Sequence, residues 1–276
     1  MPSKRMYSSS GPDSQKILHA SSTDSKKSLS SINKTRCMLE KIPLEKILFL
    51  DIETVPQHQT FGQMSPEGQK LFDQKTKFLQ KDQGAESVFD RAGIYAEFGK
   101  IICISVGFIR ETRTGKQIRL KSYYHHDEET LLRKFVALLE EHYNTPYHIL
   151  CGHNAKEFDF PFICRRLLIN GIKLPEILNI AGKKPWEISH LDTMELWKFG
   201  DYKAYTSLAL LCHIFEIPTP KDDISGADVA RVYYEENDLE RIKVYCEKDV
   251  VALIQLLLRM KGDPLVGEES VYYSEA

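Results

Sequence analysis

The chain has 276 residues, 42% hydrophobic and 28% charged, with a formal net charge of −2, the balance of an ordinary globular protein. No run of about 18 apolar residues occurs, which argues against a membrane-spanning helix. The six cysteines (Cys37, Cys103, Cys151, Cys164, Cys212 and Cys246) are scattered, without a CxxC pair or a Cys/His cluster at zinc spacing. The expectation is a reducing, cytoplasmic setting and no structural zinc.

Residues 1–37 hold eleven serines, seven Lys or Arg and only two acids, Asp13 and Asp24. Such composition, with little hydrophobic periodicity, reads as a disordered tail. A transit peptide is the sharper alternative, but arginine enrichment and an amphipathic pattern are missing; a start at Met38 is another. Without the tail the balance is 37 − 7 = 30 basic against 39 − 2 = 37 acidic residues, about −7. A protein that coats nucleic acid electrostatically is usually basic, so general duplex binding is not expected.

From residue 45 strand and helix alternate. Ile47–Val55 is an apolar strand, residues 58–98 a polar insertion with scattered aromatics, and Lys100–Arg110 and Gln117–Tyr124 a hairpin turning at Thr114-Gly115. Glu128–Tyr143 has the apolar spacing of an amphipathic helix. His148–Gly152 is a short strand, Phe160–Asn170 a helix stopped by Gly171, and Ile188–Thr193 a fifth short strand. Helices are expected over Ser207–Phe215, Gly226–Glu236 and Leu239–Met260. This order predicts an α/β fold, a mixed sheet of about five strands flanked by helices. The boundaries expected are a tail at 1–37, one domain at 38–262 and a C-terminal tail at 263–276.

Four acids interrupt this pattern. Asp51 and Glu53 sit in ILFLDIETV on the first strand. Asp159 lies in GHNAKEFDFPF, just after the fourth strand. Asp249 follows Tyr245 by four residues in VYCEKDVVALI, so both share one helix face. Unpaired carboxylates on a buried strand are costly, and four gathered in one pocket repel unless divalent cations hold them. The simpler reading holds elsewhere: His153 as a hydrogen-bonding core histidine, Arg165-Arg166 as a solvated helix face, Lys183-Lys184 as an exposed loop.

Taken in order, Asp51-Ile52-Glu53-Thr54, Asn154-x3-Phe158-Asp159 and Tyr245-x3-Asp249 resemble the three motifs of the DEDD superfamily of 3′–5′ exonucleases, which have a ribonuclease H-like fold. Tyrosine four before the last aspartate matches the DEDDy branch; the DEDDh branch has histidine five before, where this chain has Val244. FDFPFICRRL is more similar to the proofreading exonucleases of family B DNA polymerases than to ribonuclease D. GKIICISVGF and the stretch from Lys221 to Val251 look like predicted standalone bacterial exonucleases related to that proofreading domain. The resemblance covers about residues 43–262, with three residues between Asn154 and Phe158 where polymerases usually have fewer.

The resemblance implies a 3′–5′ exonuclease using two divalent cations, Mg²⁺ or Mn²⁺, on 3′ ends of DNA, single strands preferred. Asp51 would bridge both ions, Glu53 and Asp249 complete one site, and Asp159 hold the other. Tyr245 would orient the attacking water. Asn154, Phe158 and Thr54 would contact substrate, and Phe158 with the insertion's aromatics would stack the terminal base. An RNA-trimming enzyme of the ribonuclease D kind and a non-catalytic end-binding module are the alternatives. Any polymerase partner would be a separate protein.

Overall fold

The computed structural model describes residues 39–218 and 224–274. The expected tail at 1–37 lies outside the described residues. Within them, strands β1 (Ile47–Pro56), β2 (Gly99–Thr112), β3 (Gly115–Tyr124), β4 (Ile149–Gly152), β5 (Leu191–Asp192) and β6 (Val271–Ser274) form one sheet in the order β5-β4-β1-β2-β3-β6. The anticipated hairpin is present: β2 pairs antiparallel with β1 and β3, while β4 and β5 run parallel to β1. The result is a mixed α/β sheet with one strand more than the sequence suggested. That strand comes from the segment expected to be a tail. After residue 262, Val266 is buried, its carbonyl accepts from the Gln255 side chain at 2.6 Å, and β6 pairs parallel with β3.

The helices are α1 (Pro66–Thr76), α2 (Glu128–His142), α3 (Asp159–Ile169), α4 (Thr193–Lys198), α5 (Leu208–Ile214), α6 (Val229–Arg231, continued by a π turn to Glu236) and α7 (Leu239–Lys261). Short polar side chains start the long ones: Asp127 accepts from Thr130 N for α2 and Asp238 from Arg241 N for α7, satisfying amides a helix leaves orphaned. Gly262, at φ +77°, ends α7 in the left-handed region where glycine is favoured.

Strand alternation sorts the core into two layers. Leu48, Leu50 and Ile52 point to the α2 and α3 face, packing with Leu131, Phe135, Phe160 and Ile163. Ile47 and Phe49 point the other way, onto Val250, Leu253 and Leu257 of α7. α7 comes down hard on the sheet at Gly107, where an added Cβ would lie 2.9 Å from side-chain atoms of Leu120 and Val250.

Arg166 departs from its expected solvated position. It is 4% exposed, and its guanidinium grips Glu128 with Nε–Oε1 2.9 Å and Nη2–Oε2 2.5 Å. Nη1 donates to the Ala96 carbonyl at 2.8 Å, and Glu128 Oε1 also accepts from Ile101 N at 2.7 Å. The helical period explains this, because position 166 falls three after Ile163 on the face that also buries Phe162 and Leu167.

Beside β4, His190 is buried, its Nδ1 accepting from Leu150 N at 3.2 Å and its Nε2 donating to the Ile177 carbonyl at 2.8 Å. Both bonds suit the neutral ring, and burial pushes its pKa down to about 4. Unfolding releases a histidine of ordinary pKa near 6.5, so the unfolded chain binds the extra proton between those values. Stability from this group is therefore complete above pH 6.5 and lost as pH falls toward 4, by about 1.4 kcal/mol per unit. Urea denaturation of wild type and His190→Gln from pH 7 to 4 checks this. The difference between the two should narrow by about 3 kcal/mol across the window; a constant difference would show that the ring is not held neutral.

Candidate metal centre

The alternation that turns Ile47 and Phe49 toward α7 turns Asp51 and Glu53 the same way. Asp51 stands opposite Ser105 and Glu53 opposite Cys103 on β2, and the register slips by one between Glu53 and Thr54. Such an irregularity re-aims side chains where a strand meets a site. Asp159 is the first residue of α3 and is 4% exposed. Its carboxylate accepts from its own amide and from Ile52 N, between the two β1 acids. From α7, Tyr245 donates its hydroxyl to Asp249. Cys246, next along, offers Sγ at 3.5 Å to Asp51 Oδ2 and to its carbonyl. Ligand atoms of Asp51, Glu53 and Cys246 all lie within 4.8 Å of one another.

The electrostatics tie the rest together. Burial raises the Asp51 pKa well above the carboxylate range, with Asp159 and Asp249 adding to it and the Cys246 bond opposing. Burial, then Asp51 and Asp249, do the same for Glu53. Asp159 is pushed up to about 7, burial outweighing its two amide bonds and Asp192 adding repulsion. The Tyr245 phenol is driven up by burial and then by Asp249, Glu53 and Asp51, so it stays protonated. Four acids and one tyrosine from β1, α3 and α7 thus lie within electrostatic reach of one another, with Asp51 and Glu53 the two acids in the tight cluster.

A divalent cation fits this donor set. The acids are hard oxygen ligands gathered where their own charges repel, and a cation reverses that repulsion. Cys246 is a poor competitor as a ligand, since burial holds its thiol protonated.

The expected substrate contacts divide. Asn154 stands at φ +61°, its amide donating to Asp192 Oδ1 at 2.9 Å and its carbonyl accepting from Phe158 N at 3.0 Å. Phe158 is half-buried against Phe162 at 5.4 Å. Thr54, just past the register slip, is half-buried opposite Ile101. The insertion's aromatics are largely spoken for: Phe61, Phe72, Phe89 and Phe98 form their own cluster, with centroids 5.1–6.1 Å apart. Of its six aromatics only Phe78 is mostly exposed. Four phenylalanines at irregular spacing close a small core of their own, which a scan for binding aromatics mistakes for a stacking surface.

Sequence reasoning passed over Asp192. Its carboxylate accepts from Asn154 N, Lys156 N, Met194 N and Glu195 N at 2.9–3.3 Å, capping α4 and fastening the loop that leads into Asp159. The signal was present as Asp192-x-x-Glu195, an N-cap signature hidden under the strand assignment. His153 is a hydrogen-bonding residue as expected, joining Thr193 Oγ1 and the Thr206 carbonyl at 2.9 Å each.

Residues 94–264 match the family described as "Predicted 3'-5' exonuclease related to the exonuclease domain of PolB". The match takes in Asp159, Tyr245 and Asp249, while Asp51 and Glu53 lie upstream of it. No curated protein matches the chain significantly. Among solved structures, the family B DNA polymerase of the hyperthermophilic archaeon Pyrobaculum calidifontis is similar in fold at 16% identity, with a TM-score of 0.50. The similarity covers 79% of this chain but only 24% of that polymerase.

Proposed function

Because the chain belongs to the family of predicted 3′–5′ exonucleases related to the exonuclease domain of PolB, we propose that it hydrolyses phosphodiester bonds at the 3′ ends of single-stranded DNA, releasing nucleoside 5′-monophosphates. The observation that carries this is the convergence of Asp51, Glu53, Asp159 and Asp249 with a protonated Tyr245. When bound, Mg²⁺ or Mn²⁺ ions would supply Lewis acidity for in-line displacement at phosphorus. Asp51, Glu53, Asp159 and Asp249 would hold the ions. Water attacks phosphorus, the bond to the 3′-oxygen breaks, and that oxygen leaves with a proton. Tyr245 turns its hydroxyl toward the attacking water and keeps its own proton. Single strands suit a described domain without an excess of basic side chains, since duplex coating depends on phosphate neutralisation. Digestion of matched single-stranded, duplex and mismatched-end DNA and RNA with Mg²⁺ or Mn²⁺ tests the reading. Metal-dependent mononucleotide release, fastest from single-stranded DNA, is expected; binding without turnover would make the pocket an end-binding module.

Tyr245→Phe separates positioning from ligation. The ring packing remains and only the hydroxyl is lost, so the rate should fall about 10²-fold, the lower end for such groups. Asp249→Ala should also displace the Mn²⁺ titration to higher concentrations. A Tyr245→Phe curve displaced equally far would mean that the phenol contributes to metal binding.

A further inference from the structure

Between Lys183 and Tyr205 the exposed large hydrophobic side chains are all aromatic. Trp186 is 76% exposed, Phe199 81%, Tyr202 87% and Tyr205 63%. Burial explains none of them. Phe199 is held at φ +44° at the end of α4, a conformation a bulky residue adopts at a cost. Trp197, on α4 itself, packs against Phe215 instead. No ring pairing joins the four exposed rings to one another; two carry cations, with Lys184 5.2 Å from the Trp186 centroid and Lys198 4.1 Å from that of Tyr205. Among the described residues Phe199 and Tyr202 carry no such cation, and separate exposed rings suit planar groups that stack one by one.

Their position leads to the loop of the second motif. A cavity of about 590 Å³ runs from Asn154 to Gly200 and Tyr202. Tyr205 donates to Glu157 Oε2 at 3.5 Å, and Lys198 pairs with Glu157 Oε1 at 3.7 Å, two residues before Asp159. His153 binds the Thr206 carbonyl, tying the far end of the segment to the loop of the second motif. The lining charges nearly cancel. Lys156 pairs with Glu195 at 2.7 Å and Lys198 with Glu157, and among the described residues Lys183 has no ion pair.

We propose that Phe199 and Tyr202, with Trp186 beyond them, form a stacking platform for bases of a single-stranded polynucleotide upstream of the 3′ end held at the acids. The inference rests on the exonuclease reading and adds a second contact zone to it. A polynucleotide is favoured over a protein partner because the cavity that has Tyr202 on its wall also has Asn154 and Glu157 there, in the loop that runs into Asp159. The near-neutral lining means that stacking, not phosphate neutralisation, supplies the affinity.

The test uses wild type and the Phe199→Ala/Tyr202→Ala double variant of the full chain. Anisotropy of an oligothymidylate of about twenty nucleotides, measured in EDTA so that turnover is absent, gives Kd at 50 and 200 mM salt. KM is measured with Mn²⁺ on that oligomer and on a trinucleotide, which also reports that the variant is folded. Each ring should be worth about tenfold, so Kd and the ratio of the two KM values should both shift about 100-fold in the variant. Wild-type affinity should change less than about tenfold between the two salts, where six to ten phosphate contacts would cost 10³–10⁵. A ring-independent Kd and KM ratio with intact hydrolysis would overturn the platform, assign the rings to a protein partner and leave the exonuclease reading standing. Ring-dependent binding without hydrolysis of either substrate would uphold the platform and remove the exonuclease.

Discussion

Replacing Asp51 by asparagine should reduce exonuclease activity about a thousandfold or more while making the metal-free protein harder to unfold. The first half follows from its proposed place among the residues that would hold the cations, where losing several kcal/mol of transition-state stabilisation costs tenfold for each 1.4. The second follows from its surroundings. A carboxylate whose folded pKa is raised is less stable charged in the fold than in the unfolded chain, so at neutral pH it subtracts from stability. Asparagine keeps the shape and removes the charge. Metal-free thermal unfolding should therefore move upward in Asp51→Asn, and added Mn²⁺ should raise the wild-type midpoint far more than the variant's. Near-normal rates in the variant would sink the assignment of Asp51. A lowered metal-free midpoint would show that the charge is compensated by a group other than a cation.

The largest stability effect should come from a pair that touches no substrate. Arg166 and Glu128 are both buried, and between them they satisfy Ile101 N, Asn170 and the Ala96 carbonyl. Arg166→Met strands the Glu128 carboxylate in the interior, and breaking such a pair costs about 3–5 kcal/mol. For a domain of this size that is about 10 °C in Tm. Glu128→Gln keeps an acceptor for Ile101 N but leaves the guanidinium uncompensated, and should cost a similar amount. The double variant Glu128→Gln/Arg166→Met buries no charge, so it should cost clearly less than the sum. Urea denaturation of the four proteins gives the coupling directly. Additive losses would mean that the pair contributes through packing rather than charge. Because the pair anchors α3, whose first residue is Asp159, the singles should also lose activity as the midpoint is approached.

What the sequence made legible was chemistry at strong local signals. Asp51 and Glu53 stood out because acids do not belong on an apolar strand, and Tyr245 and Asp249 because their spacing fixes a shared helix face. The structure keeps both arrangements, and β1 alternation with α7 packing brings the two pairs within electrostatic reach of each other. Tertiary facts were harder to see. β6 is four residues with mostly exposed side chains at a sheet edge, too short and too polar to stand out as a strand. Arg166 was read by its residue type, although its helical phase put it inside. The insertion's phenylalanines carry no period, so only their mutual contacts reveal a private core.

Gly107 contributes no functional group, yet it governs where two of them stand. Its missing Cβ is the clearance that lets Val250 and Ile254 of α7 settle against β2, and Asp249 is Val250's neighbour. The position works like a shim of zero thickness between helix and sheet. A thicker residue would press on Val250 and Ile254, and any shift of α7 that relieved the contact would carry Tyr245 and Asp249 with it while leaving every acid in the sequence unchanged. If the acids hold cations as proposed, their tolerance toward cation size would depend on this residue, and Mg²⁺, which demands near-ideal octahedral geometry, is the ion that would register the change first.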